Sequence, residues 1–147
     1  MIEELIERLE ALDGPDRQVD REIGSLWPEP RPFNLAISEM HSGLPICPAF
    51  TSDLNAPVKL LERILPGFAW KVGTCCVSDD AWVVPDLNCP VHGERLLKQY
   101  GKPKPGSIWD TGVDIDLRPS GTPAIALCLA VVSAYAETLK FTEKACV

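Results

Sequence analysis

The sequence predicts an α/β fold, with a small, mainly antiparallel sheet sandwiched or flanked by helices in a single layered domain of residues 1–147. Three patterns support this prediction: helical spacing of apolar residues near the N-terminus, alternation of apolar and polar residues around 68–74 and 113–118, and a long apolar segment near the C-terminus. A chain of 147 residues with 46% hydrophobic content is large enough to bury one core.

Two helices are predicted at the start of the chain. Leu5 and Leu9 share a helical face with their apolar neighbours, and Gly14 ends that helix. Pro15 then suits the first position of a second helix, which extends to Trp27. A helical hairpin is therefore expected.

Residues 28–50 are rich in proline and are expected to form a loop, with a short strand around 33–37. A third helix follows. Thr51 or Ser52 suits its N-cap, and Pro57 falls within its first turns, where proline costs little.

The segments "FAWKVGT" (68–74) and "AWVVP" (81–85) are predicted to form a β-hairpin, with Asp79 and Asp80 in the turn. Residues 86–109 have no sustained period and are predicted to form a loop excursion with one helical turn at "GERLLKQY". The third strand is "TGVDIDLRP", in which Ile115 and its apolar neighbours face inward. Three tryptophans are expected to fill the core: Trp27, Trp70 and Trp82.

The segment "SGTPAIALCLAVVSAYAETLK" is predicted to be a helix buried on most of its circumference. Thr122 suits its N-cap and Pro123 its first helical position. Its apolar run from Ala124 to Ala136 has thirteen residues, whereas a membrane span needs about 20. We therefore expect a core helix and no membrane span.

Charge and cysteine content restrict the function. The formal charge is −7, and the first 22 residues hold eight acidic and three basic side chains, so direct binding to duplex nucleic acid is not expected. The start "MIEELIERLE" lacks the basic and apolar regions of a secretory signal, which predicts a cytoplasmic protein whose six cysteines are free thiols.

Four stretches resemble the phage ABA sandwich domain, a family of small phage and prophage proteins. They are "IEELIERLEALDGPDRQVDREI", "PAFTSDLNAPVKLLERILPGFAWKV", the strand containing Trp70, and "GVDIDL" followed by "TPAIALCLAVVSAYAE". They cover roughly half of the chain in the family's order. The resemblance implies a layered α/β domain of phage origin that acts by binding, for example as an inhibitor of host defence, and it assigns no catalytic residue.

Basic and aromatic residues concentrate in the excursion, which the family pattern does not explain. This cluster is the candidate ligand site, suited to a phosphorylated small molecule or an acidic protein surface. Its members are Arg95, Lys98, Tyr100, Lys102, Lys104 and Trp109. A second candidate surface, for a protein partner, is the acidic helical face with Glu3, Glu7 and Glu10.

Cysteine, histidine and aspartate residues suggest weaker alternatives. Cys89 and His92 have zinc-ligand spacing, and Cys75 or Cys76 could add ligands, but a second paired motif is missing, so no metal is assigned. Cys47 or Cys89 could pair with His41 or His92 as a nucleophile. Asp114 and Asp116 share a strand face that could hold Mg²⁺, although a solvated face with Arg118 as counter-charge is preferred.

These observations predict a phage-encoded, non-enzymatic binding protein without a cofactor that inhibits or sequesters a host factor. The expected partner is a host protein or an anionic nucleotide ligand, and homo-oligomers are left open. The alternatives are a small metal-dependent hydrolase and a morphogenesis or structural accessory protein.

Overall fold

The computed structural model describes residues 1–37, 43–75, 77–116 and 123–145. These residues form one small sheet with helices around it, which confirms the predicted fold class. In chain order the elements are α1 (Ile2–Ala11), α2 (Arg17–Gly24), α3 (Asn55–Ile64), β1 (Phe68–Thr74), β2 (Ser78–Pro85), α4 (Gly93–Tyr100), α5 (Ile108–Thr111), β3 (Val113–Asp116) and α6 (Pro123–Ala145).

The sheet is antiparallel, in the order β1-β2-β3. Side chains of directly paired residues lie on the same face, so the register divides the strands into two sets. One face carries Phe68, Val83 and Ile115, all buried, and α6 packs on it. The opposite face carries Asp80 and Asp114, both exposed, as the alternation in the third strand predicted for Asp114.

Helix α6 is the centre of the core. Its residues from Ala124 to Val132 are all buried, and it contacts every strand as well as α1 and α3. The prediction of a buried helix is confirmed, but the length argument against a membrane span was wrong. Residues 123–142 are long and apolar enough to cross a membrane, although 67% of that window is buried inside the protein. Burial against the sheet therefore accounts for the apolar sequence; Thr122 lies outside the described residues.

The N-terminal helical hairpin has different boundaries from those predicted. Helix α2 begins at Arg17, and Asp16 is its N-cap, accepting hydrogen bonds from the backbone of Gln18 (2.8 Å) and Val19 (3.1 Å). Pro15 therefore precedes the cap and is not the first helical residue. The Asp16 carboxylate accepts hydrogen bonds from free N–H groups of the first turn, whereas a proline at the first position would only lack one such group. The helix ends at Gly24, before Trp27.

A buried carboxylate joins α2 to the proline-rich loop. Asp20 is 1% exposed and accepts hydrogen bonds from the backbone N–H and the hydroxyl of Thr51, both at 2.7 Å. Arg17 forms an ion pair with Asp20 at 2.8 Å and donates to the carbonyl of Cys47 at 2.7 Å. We call Arg17, Asp20, Cys47 and Thr51 the α2 junction.

The α2 junction explains why the predicted cap of the third helix was wrong. The Thr51 hydroxyl donates a hydrogen bond to Asp20 and does not cap a helix. Helix α3 begins at Asn55, with Leu54 at its N-cap position and no side-chain cap. Pro57 lies in the first turn, as expected. The expected strand around 33–37 is also absent from the described residues. Two hydrogen bonds nevertheless join its segment to the loop, from Asn34 N to Pro45 O and from Cys47 N to Ala36 O.

The hairpin turn lies earlier than predicted. Asp79 and Asp80 belong to β2, paired with Thr74 and Gly73, and the chain reverses before Ser78. The Cys75 backbone N–H donates to the Ser78 carbonyl at 2.9 Å, so main-chain pairing reaches Ser78. The turn was predicted at Asp79 and Asp80, which belong to the strand.

Trp70 is 40% exposed, which contradicts its predicted place in the core. It lies on β1, which is an edge strand, so among the described residues no neighbouring strand covers one flank of its ring. Trp27 and Trp82 are half-buried and pack against the core.

The excursion between β2 and β3 contains more structure than one helical turn. It holds the whole of α4 and the short α5, and it returns to the sheet at Gly112. Gly112 has φ +68°, and a Cβ there would lie 2.4 Å from the Ala81 carbonyl oxygen. Only glycine fits this close approach to β2.

Candidate functional site

An aromatic cluster holds the excursion against the sheet and α6. Phe68 at the start of β1, Tyr100 at the end of α4, Trp109 in α5 and Phe141 in α6 contact one another with ring centroids 5.3 to 6.4 Å apart. Trp109 and Phe141 are stacked, with an interplanar angle of 12°. Edge and stacked contacts of this kind stabilise the packing beyond the area they bury.

A pocket of about 300 Å³ lies beside this cluster, between α5 and the end of α6. Four of its lining residues belong to the predicted ligand site: Tyr100, Lys102, Lys104 and Trp109. The structure adds Ser107, Ile108, Glu137, Lys140 and Phe141. We call these nine residues the α5–α6 pocket.

The charge of the α5–α6 pocket is mainly positive. Lys102, Lys104 and Lys140 are exposed at it, and among the described side chains Glu137 is its one acidic lining residue. Lys140 pairs with Glu137 at 2.9 Å, and this hydrogen bond raises the pKa of Lys140. Burial raises the pKa of Tyr100, which keeps its hydroxyl protonated at neutral pH.

Two polar atoms of the α5–α6 pocket are buried without a hydrogen-bond partner in the part of the chain that the structure describes. They are the hydroxyl oxygen of Ser107 and the indole Nε1 of Trp109, whose residue is 6% exposed. Ser107 occupies the N-cap position of α5 but makes no side-chain cap bond. Unpaired buried polar groups are rare in native proteins, so two of them at one pocket make this region a candidate binding site.

The structure places Arg95 and Lys98 outside the α5–α6 pocket. Both lie in an open groove along the exposed side of α4. Arg95 donates to the Pro66 carbonyl (3.1 Å) and to Gln99 (3.2 Å), and it contacts His92 Nδ1 (3.3 Å). The predicted cluster is therefore divided, because the helix ends at Tyr100 and turns the chain after it toward α6.

Glu137, Lys140 and Phe141 were not predicted from the sequence because they lie about 30 residues after the end of the excursion. One signal was available: the three residues end the apolar run of α6 at spacings of three and four, which places Glu137 on one helical face with Lys140 and Phe141.

The acidic face predicted for a protein partner lies on α1. Glu3, Glu7 and Glu10 are exposed, whereas Leu5 and Leu9 on the other side of the helix are buried. Glu10 also lines a groove that Asp114 shares. Helix α1 packs against α6; the hydrogen bond to Glu137 is the main cause of the raised pKa of Lys140, and the charge of Glu3 makes a smaller contribution.

The candidate metal ligands do not assemble over the described residues. No group of three histidine, cysteine, aspartate or glutamate side chains is close enough there to hold an ion. Cys89 lies before α4, and the Nδ1 of His92 faces Arg95. Cys75 is at the hairpin, and Cys76 lies outside the described residues.

Cys47, one candidate for the nucleophile, lies in an environment that does not favour a reactive thiol. Cys47 is buried in the α2 junction, where its thiol donates to the Asp20 carbonyl at 3.4 Å. Burial raises the pKa of Cys47 to about 11, so it is not a thiolate at neutral pH. Its proposed partner His41 lies outside the described residues.

The sheet face opposite α6 brings together two aspartates that the sequence did not pair. Asp114 on β3 is directly opposite Asp80 on β2. Asp116 is opposite Ser78 in the same register, and Arg118 lies outside the described residues. Asp80 and Asp114 are both exposed, so this part of the face is acidic and solvated.

Comparisons with protein-family models, with curated proteins and with solved structures found no match. The relation to the phage ABA sandwich domain therefore stays a prediction that rests on the four sequence blocks.

Proposed function

We propose that this chain is a non-enzymatic binding protein, encoded by a phage or prophage, that sequesters or inhibits a host factor in the bacterial cytoplasm. The phage origin and the anti-defence role rest on the resemblance of four ordered blocks to the phage ABA sandwich domain. The binding role has separate support from the α5–α6 pocket.

One observation carries the binding role. Four of the six residues that the sequence marked for an anionic ligand line one pocket, and α6 supplies a third lysine, Lys140, to it. The chain as a whole has a charge of −7, so a pocket with three lysines is a local exception. Such a pocket attracts anions against the overall field of the protein. We therefore favour capture of an anionic nucleotide signal.

A thermal-shift screen with cyclic and linear nucleotides tests this function. We expect the midpoint of unfolding to rise with at least one of them, because a ligand that binds only the folded state stabilises it. The double variant Lys102→Gln/Lys104→Gln should lose the response. The charge-matched control Lys71→Gln/Lys98→Gln, which changes two exposed lysines outside the pocket, should keep it. A flat response to the whole screen contradicts nucleotide capture.

The acidic face of α1 supports a second mode of the same function. Glu3, Glu7 and Glu10 project away from the buried side of the helix, as a surface that imitates nucleic acid would require. In this mode the protein covers a nucleic-acid-binding surface on a host protein.

A pull-down from host lysate separates the two modes. The second mode predicts a salt-sensitive complex that Glu3→Gln/Glu7→Gln/Glu10→Gln abolishes and Lys102→Gln/Lys104→Gln leaves intact. Retention of the complex by the triple glutamine variant would count against the α1 surface.

A further inference from the structure

The two unpaired polar atoms of the α5–α6 pocket specify what a ligand must offer. The indole N–H of Trp109 can only donate, and the hydroxyl of Ser107 can donate as well. Neither has a partner over the described residues, and both are shielded from water. An unpaired buried donor costs free energy that folding must offset, and a ligand acceptor brought within reach by a small rearrangement would recover it. The ligand should therefore carry hydrogen-bond acceptors.

The charge of the pocket identifies the acceptor as an oxyanion. Lys102, Lys104 and Lys140 give it three positive charges, and Glu137 removes one. Lys140 already pairs with Glu137, whereas Lys102 and Lys104 form no ion pair with the described residues. Charge-assisted hydrogen bonds from lysine to phosphate oxygens are among the stronger contacts in proteins.

The aromatic rings at the pocket suit a planar group. Tyr100 and Phe141 are half-buried residues that line the pocket, and Trp109 stacks on Phe141 and meets Tyr100 edge-on. Aromatic faces and edges hold a flat heterocycle through stacking or edge contacts.

Size limits the ligand further. A volume of about 300 Å³ is at the lower end of the range for small-molecule pockets. One ring system with one phosphate group fits such a volume, whereas a dinucleotide would place only one of its halves inside.

We propose that the α5–α6 pocket binds a phosphorylated aromatic molecule of mononucleotide size, with Lys102 and Lys104 on the phosphate and Ser107 and Trp109 as donors to its acceptors. This inference rests on the proposed function, because it names the ligand class of the same pocket. It adds a role for two residues whose hydrogen-bonding groups have no partner among the described residues.

Nuclear magnetic resonance of protein labelled with ¹⁵N-tryptophan tests the inference. The chain has four tryptophans and hence four indole N–H signals, of which Trp109→Phe identifies one. The probes are adenosine monophosphate, adenosine and inorganic phosphate. We expect adenosine monophosphate to move the Trp109 signal downfield and to leave the other three in place. Its affinity should exceed that of either fragment by about tenfold or more, since each fragment lacks one set of contacts.

Matched variants extend the test. Ser107→Ala removes one donor and should weaken binding of adenosine monophosphate about tenfold, as expected for one hydrogen bond to a charged group. Lys98→Gln removes a lysine outside the pocket and should leave the affinity unchanged. Trp109→Phe keeps an aromatic ring in the cluster and should weaken binding by a similar factor to Ser107→Ala.

Each contrary result has a definite meaning. If adenosine monophosphate binds and depends on Lys102 and Lys104 while the Trp109 signal stays in place, the inference is overturned and the proposed function stands. Equal affinity for phosphate and adenosine monophosphate overturns the aromatic part. If no probe binds at millimolar concentration, the inference fails, and the nucleotide screen separately decides whether the proposed function fails with it.

Discussion

The α2 junction and the α5–α6 pocket both place polar groups away from water, but they treat them in opposite ways. In the junction, Asp20 accepts two hydrogen bonds from Thr51 and pairs with Arg17. In the pocket, Ser107 and Trp109 bury groups without partners over the described residues. Buried polar groups that are fully paired help to fix one conformation, whereas each unpaired one costs free energy of folding.

The largest expected difference is between the thiol-labelling rates of Cys75 at the hairpin and Cys47 in the α2 junction. Hydrogen bonds from the backbone of Val77 and Ser78 lower the pKa of Cys75, which is exposed, whereas the pKa of Cys47 in the junction is about 11. The thiolate is the reactive form, so at pH 8 only about one Cys47 in a thousand is reactive, and burial slows it further.

We therefore expect iodoacetamide to label Cys75 more than a thousandfold faster than Cys47, as measured by peptide mass spectrometry over time. The rate at Cys75 should reach its plateau at a lower pH than that of a free cysteine, since its pKa is lowered. Denaturant should bring the two rates together. Fast labelling of Cys47 in the folded protein would show that the junction opens readily.

Replacement of the buried carboxylate should have the largest effect on stability. Asp20→Ala leaves the hydroxyl and N–H of Thr51 and the guanidinium of Arg17 without their shared acceptor, so the free energy of unfolding should fall by about 3 kcal/mol or more. Urea denaturation measures this change. Glu62→Ala, which removes an exposed acid from α3, is the control and should change stability little. A loss below about 1 kcal/mol would contradict the assigned role of the junction.

Removing one hydroxyl from each region should lower the stability of the protein only at the α2 junction. Thr51→Val deletes a hydroxyl that bonds Asp20 at 2.7 Å and accepts from the Asp16 N–H at 2.9 Å, so a loss of about 1–3 kcal/mol is expected. Ser107→Ala deletes an unpaired hydroxyl and should be neutral or stabilising by up to about 1 kcal/mol. Both are read from urea midpoints at equal slope. A destabilised Ser107→Ala variant would remove the distinction between the regions.

A substitution on the sheet face opposite α6 should have the smallest effect on the free energy of unfolding. Asp80 and Asp114 are directly opposite, and both are exposed, so their repulsion is weak and screened by salt. Asp114→Asn should raise the free energy of unfolding by about 0.2–1 kcal/mol at low ionic strength, and the gain should shrink in high salt. An unchanged gain at high salt would point to a cause other than charge repulsion.

Local patterns predicted the fold because they report burial along one element. Alternation placed Ile115 inside and Asp114 outside, and the apolar run placed α6 in the core. The failures came from contacts distant in sequence. Thr51 looked like a helix cap, but Asp20, 31 residues earlier, uses its hydroxyl. Trp70 looked buried, and the position of β1 at the sheet edge exposes it.

Only part of the candidate site could be predicted from the sequence, because some of its residues meet only through contacts distant in sequence. Composition alone pointed to Tyr100, Lys102, Lys104 and Trp109, because basic and aromatic residues are concentrated there in an acidic chain. It could not separate Arg95, which the helix α4 carries to another side of the molecule. Nor could it add Lys140, which reaches the pocket only through the packing of α5 on α6.

The close approach of Gly112 to β2 restricts where sequence changes in the excursion can be tolerated. Because any side chain there would collide with the Ala81 carbonyl, the point at which the excursion rejoins the sheet is fixed. Residues 102–106 are all exposed, so their side chains carry little of the core. Selection can therefore change the phosphate contacts that Lys102 and Lys104 would make while the sheet and α6 stay as they are. Exchanging residues 102–106 should alter the charge preference of the pocket and leave its aromatic residues and the fold unchanged.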